Sequence, residues 1–468
     1  LLRNRGNVSG YSRFMDMRVL LIVYDNDSYI PFFPQGIAYL AAALAKGGHH
    51  VSIYHQDIHH WPKEHLTHFL NTTDFDMVGL GFVAGYYQFR KAQDISRAIS
   101  RSRRRSAFTY VLGGHGPAAE PRYFLEKMQA DFVVVGEGEG AILDIADGGI
   151  KKETILAYDL AYENIDDYPW PAYDFFPSEP YRRIRFPLTK RNEFAMPILT
   201  GRGCRFRCTF CYRMDTTFRP RSPEAVIEEM KFLHNDDDWR ISHFQFSDEL
   251  FMSSGDRINR FCTALLSANV HKWASWDCNG RLNFANEPNL SIMKRAGCRY
   301  INYGIEALDD EVLEKMNKHL TVEQIIKGVE ATKKAGIYPG LNFMWGNIGD
   351  TKTTLKKAVK FLLKYDGVAE LRTIRPVTPY PGSKLYQRAI NERLLGGPED
   401  FYEAKHRNSD LATVTFTGIP DKDFNYDLFL ANWQLLDGYY HRCLQEAQKE
   451  CADFYDGKNP GFRGFRAV

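Results

Sequence analysis

The chain reads as an α/β protein built in two successive parts, and three observations predict it. Short apolar runs rich in β-branched residues recur over residues 17–145 and again over 196–376, each followed by a stretch of helical period. Between the two series, Asn164-Ile165-Asp166-Asp167-Tyr168-Pro169-Trp170-Pro171 suits neither a helix nor a central strand. Glycine and polar residues gather directly after the apolar runs, where open parallel sheets bind their ligands. The first series predicts a doubly wound, Rossmann-like sheet. The second makes six βα units, and a helical extension follows.

Residues 1–16 are polar and without period, a leader. Residues 17–24 form a continuous apolar run, the mark of a strand buried on both faces. A helix over 36–44 is closed by Gly47-Gly48, and strands follow at 51–54 and 77–82. A helix over 88–102, a strand at 110–112, a short helix over 121–128 and a strand at 132–135 complete this part. His59 and His60 are read as loop residues after the second strand. The second series starts with the strand 196–200. Ser222-Pro223-Glu224 opens a helix with an N-cap hydroxyl and proline in the first turn. Strands at 243–246, 273–276, 300–305, 340–345 and 371–374 lead to Asp248-Glu249, Asn279-Gly280-Arg281, Glu306, Gly346–Asp350 and Pro379–Ser383. Thr321 and Gln324 make a capping box for a helix over 322–335. Residues 426–451 are helical, and Phe429, Trp433, Leu436 and Tyr440 at helical spacing are read as core. The boundaries are a leader 1–16, a first domain 17–150, a linker 151–195, a second domain 196–390 and an extension 391–468.

Lys+Arg 60 against Asp+Glu 58 is nearly balanced, so charge predicts no nucleic-acid partner. No run is long and apolar enough to span a bilayer, and no signal peptide is evident, so the expected location is the cytoplasm. All eight cysteines lie after residue 203. Cys204, Cys208 and Cys211 stand at C-x3-C-x2-C spacing on a turn-sized loop, which can direct three soft thiolates at one centre. Structural zinc and a four-iron cubane each normally take four ligands, and no fourth Cys or His is near. The economical reading is a cluster with three irons held by protein and one open. Arg202, Arg205, Arg207 and Arg213 flank the loop and would keep the thiols ionised. Cys262 and Cys278 read as small buried residues.

Cys204, Cys208 and Cys211, with Phe210 before the last, resemble the signature of the radical S-adenosylmethionine (radical SAM) superfamily. The resemblance implies a [4Fe-4S] cluster whose open iron chelates SAM. It also implies a partial (β/α)6 TIM-like barrel over the second series. One electron then cleaves SAM to methionine and a 5′-deoxyadenosyl radical, which abstracts hydrogen from a small organic substrate. By the same resemblance, Asp248 and Glu249 receive the SAM ammonium, Arg281 and Glu306 contact its carboxylate or ribose, and Phe210 borders the adenine. The electron would come from a one-electron reductant such as flavodoxin or ferredoxin.

Pro34-x-Gly36, Gly113-Gly114-His115 and Gly136-Glu137-Gly138-Glu139 resemble the cobalamin (B12)-binding domain that precedes many radical SAM domains. Gly36, Gly113, Gly114, Gly136, Glu137 and Gly138 are the implied cobalamin contacts. The pattern Asp-x-His-x-x-Gly expected after the first strand is replaced by Asp25-Asn26-Asp27-Ser28, so no protein imidazole is expected on cobalt. Phe82 and Tyr86 are bulky enough to fill the groove instead. Three functions stay open at this point. They are cobalamin-dependent C-methylation, a non-methylating radical cyclisation, dehydration or oxidation as in the anaerobic porphyrin cyclase branch, and a non-catalytic cobalamin or metal sensor.

Overall fold

The structure, a computed structural model, describes residues 16–149, 155–158, 164–213 and 217–458. The expected leader, apart from Asp16, and residues 459–468 of the extension lie outside the described residues.

The first sheet contains β1 (Arg18–Val23), β2 (His50–His55), β3 (Met77–Gly81), β4 (Thr109–Gly113), β5 (Phe132–Gly136) and β6 (Ile155–Tyr158). All pairings are parallel, in the order β2-β1-β3-β4-β5-β6. Strand order reverses between β1 and β3, the position where such sheets open a ligand crevice. Alternate residues of β1 serve the two faces. Val19 and Leu21 pack against Ala41, Leu44 and Ile142, from helices α1 (Gln35–Lys46) and α3 (Gly138–Ala146). Leu20 and Ile22 join Phe89, Ala92 and Ile99 of helix α2 (Tyr86–Ser100). Fully burying each such aliphatic side chain contributes about 1.5–3 kcal/mol. This two-sided burial is why β1 reads as an unbroken apolar run.

Within the linker, residues 155–158 add a sixth strand at the sheet edge beside β5. The two histidines read as loop residues belong to a short helix and its cap. His59 ends a short helix, Gln56–His59, and stacks on Trp61 with ring centroids 4.3 Å apart. His60 caps it in the left-handed region at φ 48° and bonds Asp25 through Nδ1.

The second sheet is also parallel and curls into a part-barrel. Its strands are β7 (Ala195–Ile198), β8 (His243–Phe246), β9 (Ser275–Gly280), β10 (Cys298–Glu306), β11 (Tyr338–Trp345) and β12 (Arg375–Pro376). They lie in strict sequence order, with β7 and β12 at the two edges. Helices α4 (Pro223–Asn235), α5 (Gly255–Ser267), α6 (Val322–Lys334) and α7 (Lys352–Tyr365) come after β7, β8, β10 and β11, and a helix over Glu287–Arg295 comes after β9. The Ser222 cap and the Thr321–Gln324 capping box form as the sequence predicts. One layer of the barrel interior is amide rather than aliphatic. Asn302 Nδ2 donates to Asn279 Oδ1 at 3.1 Å, and Asn342 Nδ2 donates to Asn302 Oδ1 at 2.8 Å. Interiors of closed barrels are usually filled by branched apolar side chains.

The two sheets share packing. Phe33, ahead of α1, sits among Tyr173, Phe176, Tyr181 and Trp239 and belongs to the barrel's core. Residues Tyr386, Ala389, Phe401 and Tyr402 return to the core of the first sheet. The last helix, α8 (Asp421–Tyr455), lies along α7, burying Phe424, Leu428, Ala431 and Leu435. Phe424 stacks on Trp345 with centroids 4.2 Å apart. The expectation that its aromatics are core fails, because Phe429, Trp433 and Tyr440 are 54, 62 and 63% exposed and Leu436 is half-buried.

Candidate active site

The three cysteines leave the carboxyl end of β7 on one loop. Gly201–Arg202 pairs antiparallel with Arg219–Pro220, which pinches the base of that loop. All three thiols are free, Cys204 and Cys208 half-buried and Cys211 the most exposed. Burial raises the thiol of Cys204, and the protein around the Cys211 sulfur pushes that thiol up to about 12, with Cys208 and Glu306 adding to it. Charge attraction from Arg213 lowers the Cys204 thiol, by less than burial raises it. Arg202 pairs with carboxylates of the first unit, Arg205 donates to the Ser253 carbonyl, and Arg213 donates to the Cys204 and Phe206 carbonyls. Binding a metal or cluster deprotonates its thiol ligands. Among the described residues, no three His, Cys, Asp or Glu side chains close to the spacing of a single metal ion.

Asp248 follows β8 and is fully committed. Its Oδ1 accepts from the Thr200 and Gly201 backbone N–H groups at 2.6 and 3.0 Å, and its Oδ2 accepts from Thr200 Oγ1 at 2.5 Å. Arg257 Nη2 donates to Oδ2 at 2.8 Å. An ionised carboxylate offers about four acceptor positions, and all are taken. The residue expected to meet the SAM ammonium thus bonds Thr200, Gly201 and Arg257, and braces the root of the cysteine loop. Helix α5 is capped instead by Ser254, whose hydroxyl accepts from the Arg257 N–H. The neighbouring Glu249 is exposed and close enough to raise the thiol of Cys204.

Arg281, at the end of β9, is 5% exposed. Its guanidinium lies 3.8 Å from the Phe206 ring centre, and Nη1 stands 4.0 Å from Cys208 Sγ. Nε and Nη2 have no hydrogen-bond partner. A buried guanidinium with two idle donors is costly without an anion, and it faces the cluster loop. Glu306, at the end of β10, adopts φ 72° and pairs with Lys318 Nζ at 2.9 Å. Lys318 also stands 5.7 Å from the ring centre of Phe210, which packs half-buried on the barrel core. Sequence reasoning missed Arg257 and Lys318, and neither lies in a recognisable motif.

The strand-end loops of the first sheet meet this same face. Ser247 donates to Gln35 Oε1 at 2.7 Å, beside Gly36. The ring of His115 meets that of Tyr212 edge-on, centroids 6.1 Å apart, and burial lowers the His115 pKa. Arg202 bonds Glu137 at 3.2 Å and Glu139 at 2.5 Å, while Arg219 and the Tyr168 hydroxyl also reach Glu137. Glu137 thus joins the two units through these side chains. Gly114 sits at φ 91°, and a Cβ there would lie 2.7 Å from the Phe82 carbonyl oxygen. Phe82 itself turns into the core against Phe124, centroids 5.3 Å apart, so its ring leaves the groove open. A Cβ at Gly36 would meet nothing within 4 Å, and one at Gly113 would meet only Val134, at 3.9 Å. Gly136 has φ 101°, and a Cβ at Gly138 would press on Leu40 at 2.9 Å, so Gly138 serves helix packing. The backbone at Gly36 and Gly113 is uncrowded where a Cβ would stand.

Comparison with known proteins agrees with this arrangement. The family model described as the radical SAM superfamily matches residues 198–362, and that of the B12 binding domain matches residues 23–146. An uncharacterized methyltransferase of Pyrococcus horikoshii is 28% identical over 408 residues, covering 81% of this chain and 84% of the relative. The anaerobic magnesium-protoporphyrin IX monomethyl ester cyclase of Rubrivivax gelatinosus is 25% identical, covering 76% and 66%. The fold resembles the radical SAM methyltransferase TsrM of Kitasatospora setae, solved with cobalamin and a [4Fe-4S] cluster bound. That match has a TM-score of 0.69 at 17% identity and covers 90% of this chain and 89% of the other. The chain thus carries a B12-binding domain, over residues 23–146, ahead of a radical SAM domain, over residues 198–362.

Proposed function

We propose that the protein is a cobalamin-dependent radical SAM methyltransferase that places a methyl group on an unactivated carbon of a small organic substrate. The observation that carries this reading is the contact of His115 with Tyr212. It brings the glycine-rich strand end of the B12-binding domain against the residue that follows Cys211. A methyl carrier on one side and a radical source on the other then face one substrate space.

Cys204, Cys208 and Cys211 hold three irons. Arg281, with two idle donors, receives the SAM carboxylate, and Glu249 receives the ammonium. Phe210 borders the adenine, and the Glu306–Lys318 pair presents oxygen and ammonium to the ribose. Gly36, Gly113 and Gly136 give close backbone approach to the corrin. When bound, the cluster supplies the electron for SAM cleavage and cobalamin supplies the methyl carrier. The amide layer of Asn279, Asn302 and Asn342 floors the substrate space with hydrogen-bonding groups, which favours a polar substrate.

Among the described residues, no helix is long and apolar enough to cross a membrane. A one-electron reductant such as flavodoxin or ferredoxin would serve the cluster. Anaerobic protein reconstituted with iron, sulfide and cobalamin tests the reading. It should hold about four irons and one cobalamin without imidazole on cobalt. Alanine at all three cysteines should remove the iron and leave the cobalamin. Failure to bind cobalamin would move the assignment to the non-methylating reading, which the cyclase relative represents.

A further inference from the structure

Helix α8 has two apolar faces on opposite sides. Phe424, Leu428, Ala431 and Leu435 face the body. Tyr426, Leu430, Trp433, Asp437, Tyr440, Leu444, Ala447 and Cys451 follow alternating steps of four and three residues on the other side. That is a heptad seam, with the buried residues at the positions facing away from it. Along the seam Tyr426, Leu430, Trp433, Tyr440 and Leu444 are 61, 39, 62, 63 and 56% exposed, and Phe429 beside it is 54% exposed. Beyond Leu435 no residue of α8 is buried. Past that point α8 is held by half-buried residues, with the Tyr439 hydroxyl donating to the Val368 carbonyl at 3.4 Å.

We infer that a second copy of this chain covers this seam, its α8 packed antiparallel to the first. The area is sufficient. With roughly 150–250 Å2 per aromatic side chain, the exposed stripe of two copies would bury on the order of 1,300 Å2, within the range of stable interfaces. The seam points directly away from the body, so two bodies can lie on opposite sides of the helix pair. Residue chemistry selects the direction. A parallel pair sets Asp437 against Asp437, a like-charge contact in an apolar seam. An antiparallel pair with its two-fold axis between Gly438 and Tyr439 sets Asp437 against the partner's Tyr440, whose hydroxyl can donate to the carboxylate. The same axis sets Trp433 against Leu444, Leu430 against Ala447 and Tyr426 against Cys451. Each larger side chain then meets a smaller one, as close packing requires.

Sedimentation of the cluster-loaded full chain under anaerobic conditions is the test. The expected species at micromolar concentration is a dimer. Trp433→Glu should weaken it by about a hundred-fold or more while leaving iron content unchanged. A monomeric wild-type protein, or a Trp433→Glu variant still dimeric, would overturn the inference. So would a monomer that floats with phosphatidylcholine vesicles through the same tryptophan, which would give the face to lipid. Direction is read in a Cys443→Ser, Cys451→Ser background with a short bifunctional thiol reagent. Trp433→Cys protein should cross-link to Leu444→Cys protein and not to itself; self-linkage of Trp433→Cys would mean parallel pairing and overturn the antiparallel arrangement.

Discussion

Arg202 Nη2 lies 2.5 Å from Glu139 Oε1, joining the cysteine loop to the last glycine-rich strand end of the B12-binding domain. The arginine side chain is 17% exposed and the glutamate 6%. Arg202 also lies over the Tyr168 ring at 4.4 Å. Removing one partner strands a largely buried charge. Arg202→Ala should therefore lower stability by about 3 kcal/mol, read by denaturant unfolding. An effect below about 1 kcal/mol would class the pair with ordinary surface bridges.

Asp248 and Glu249 should separate cleanly by mutation. Asp248→Asn leaves two backbone donors and Arg257 competing for one carbonyl oxygen and should cost about 3 kcal/mol, with lower iron loading. SAM affinity of the loaded fraction should stay unchanged. Glu249→Gln should keep normal iron content and weaken SAM binding roughly ten- to hundred-fold. The reverse pattern would return the ammonium to Asp248.

Gly114 carries a backbone constraint. At φ 91°, with a Cβ 2.7 Å from the Phe82 carbonyl oxygen, Gly114→Ala combines strain and a clash. The expected loss is about 2–4 kcal/mol by unfolding, together with weaker cobalamin binding. Gly36→Ala, where a Cβ meets nothing, should leave stability within about 0.5 kcal/mol of wild type. Cobalamin titration should still register the added methyl.

Acid stability should carry the signature of His55. Burial lowers its pKa to about 4, while Nε2 lies 2.6 Å from the Tyr181 hydroxyl. The folded value is depressed below the ordinary value of about 6.5, so its contribution is complete above that pH and is lost as pH falls towards 4. The loss should reach about 3 kcal/mol, and His55→Gln should remove it from the stability profile measured between those values. His406, lowered to about 4 by burial, should behave alike. An unchanged slope in His55→Gln would show that the imidazole is charged in the fold.

The alternation of strands and helices was legible because both faces of the first sheet are buried. Strands such as β1 therefore read as unbroken apolar runs between turn residues. Strand β6 escaped notice because Ile155–Tyr158 is short and stands beside the proline-rich segment, at the edge of its sheet. The cysteine spacing is local and was readable. Asp248 was readable as a strand-end acid but not as a brace, because its partners Thr200 and Gly201 lie nearly fifty residues away. The same distance problem hid Arg257 beneath Thr200, whereas Lys318 meets Glu306 across only 12 residues and lay outside any motif. Period alone located α8, yet period cannot say which of two apolar faces meets the body. Phe429 and Trp433 were accordingly assigned to the wrong side.

The central claim is that a methyl carrier and a radical source act on one substrate. The most direct measurement uses reconstituted protein with reductant, cobalamin and SAM bearing a trideuterated methyl group. Mass spectrometry should find S-adenosylhomocysteine and 5′-deoxyadenosine formed together. With the substrate supplied from a cell extract, one product should gain three deuterons in its new methyl group. Formation of 5′-deoxyadenosine without S-adenosylhomocysteine, and no deuterated methyl in any product, would contradict the account.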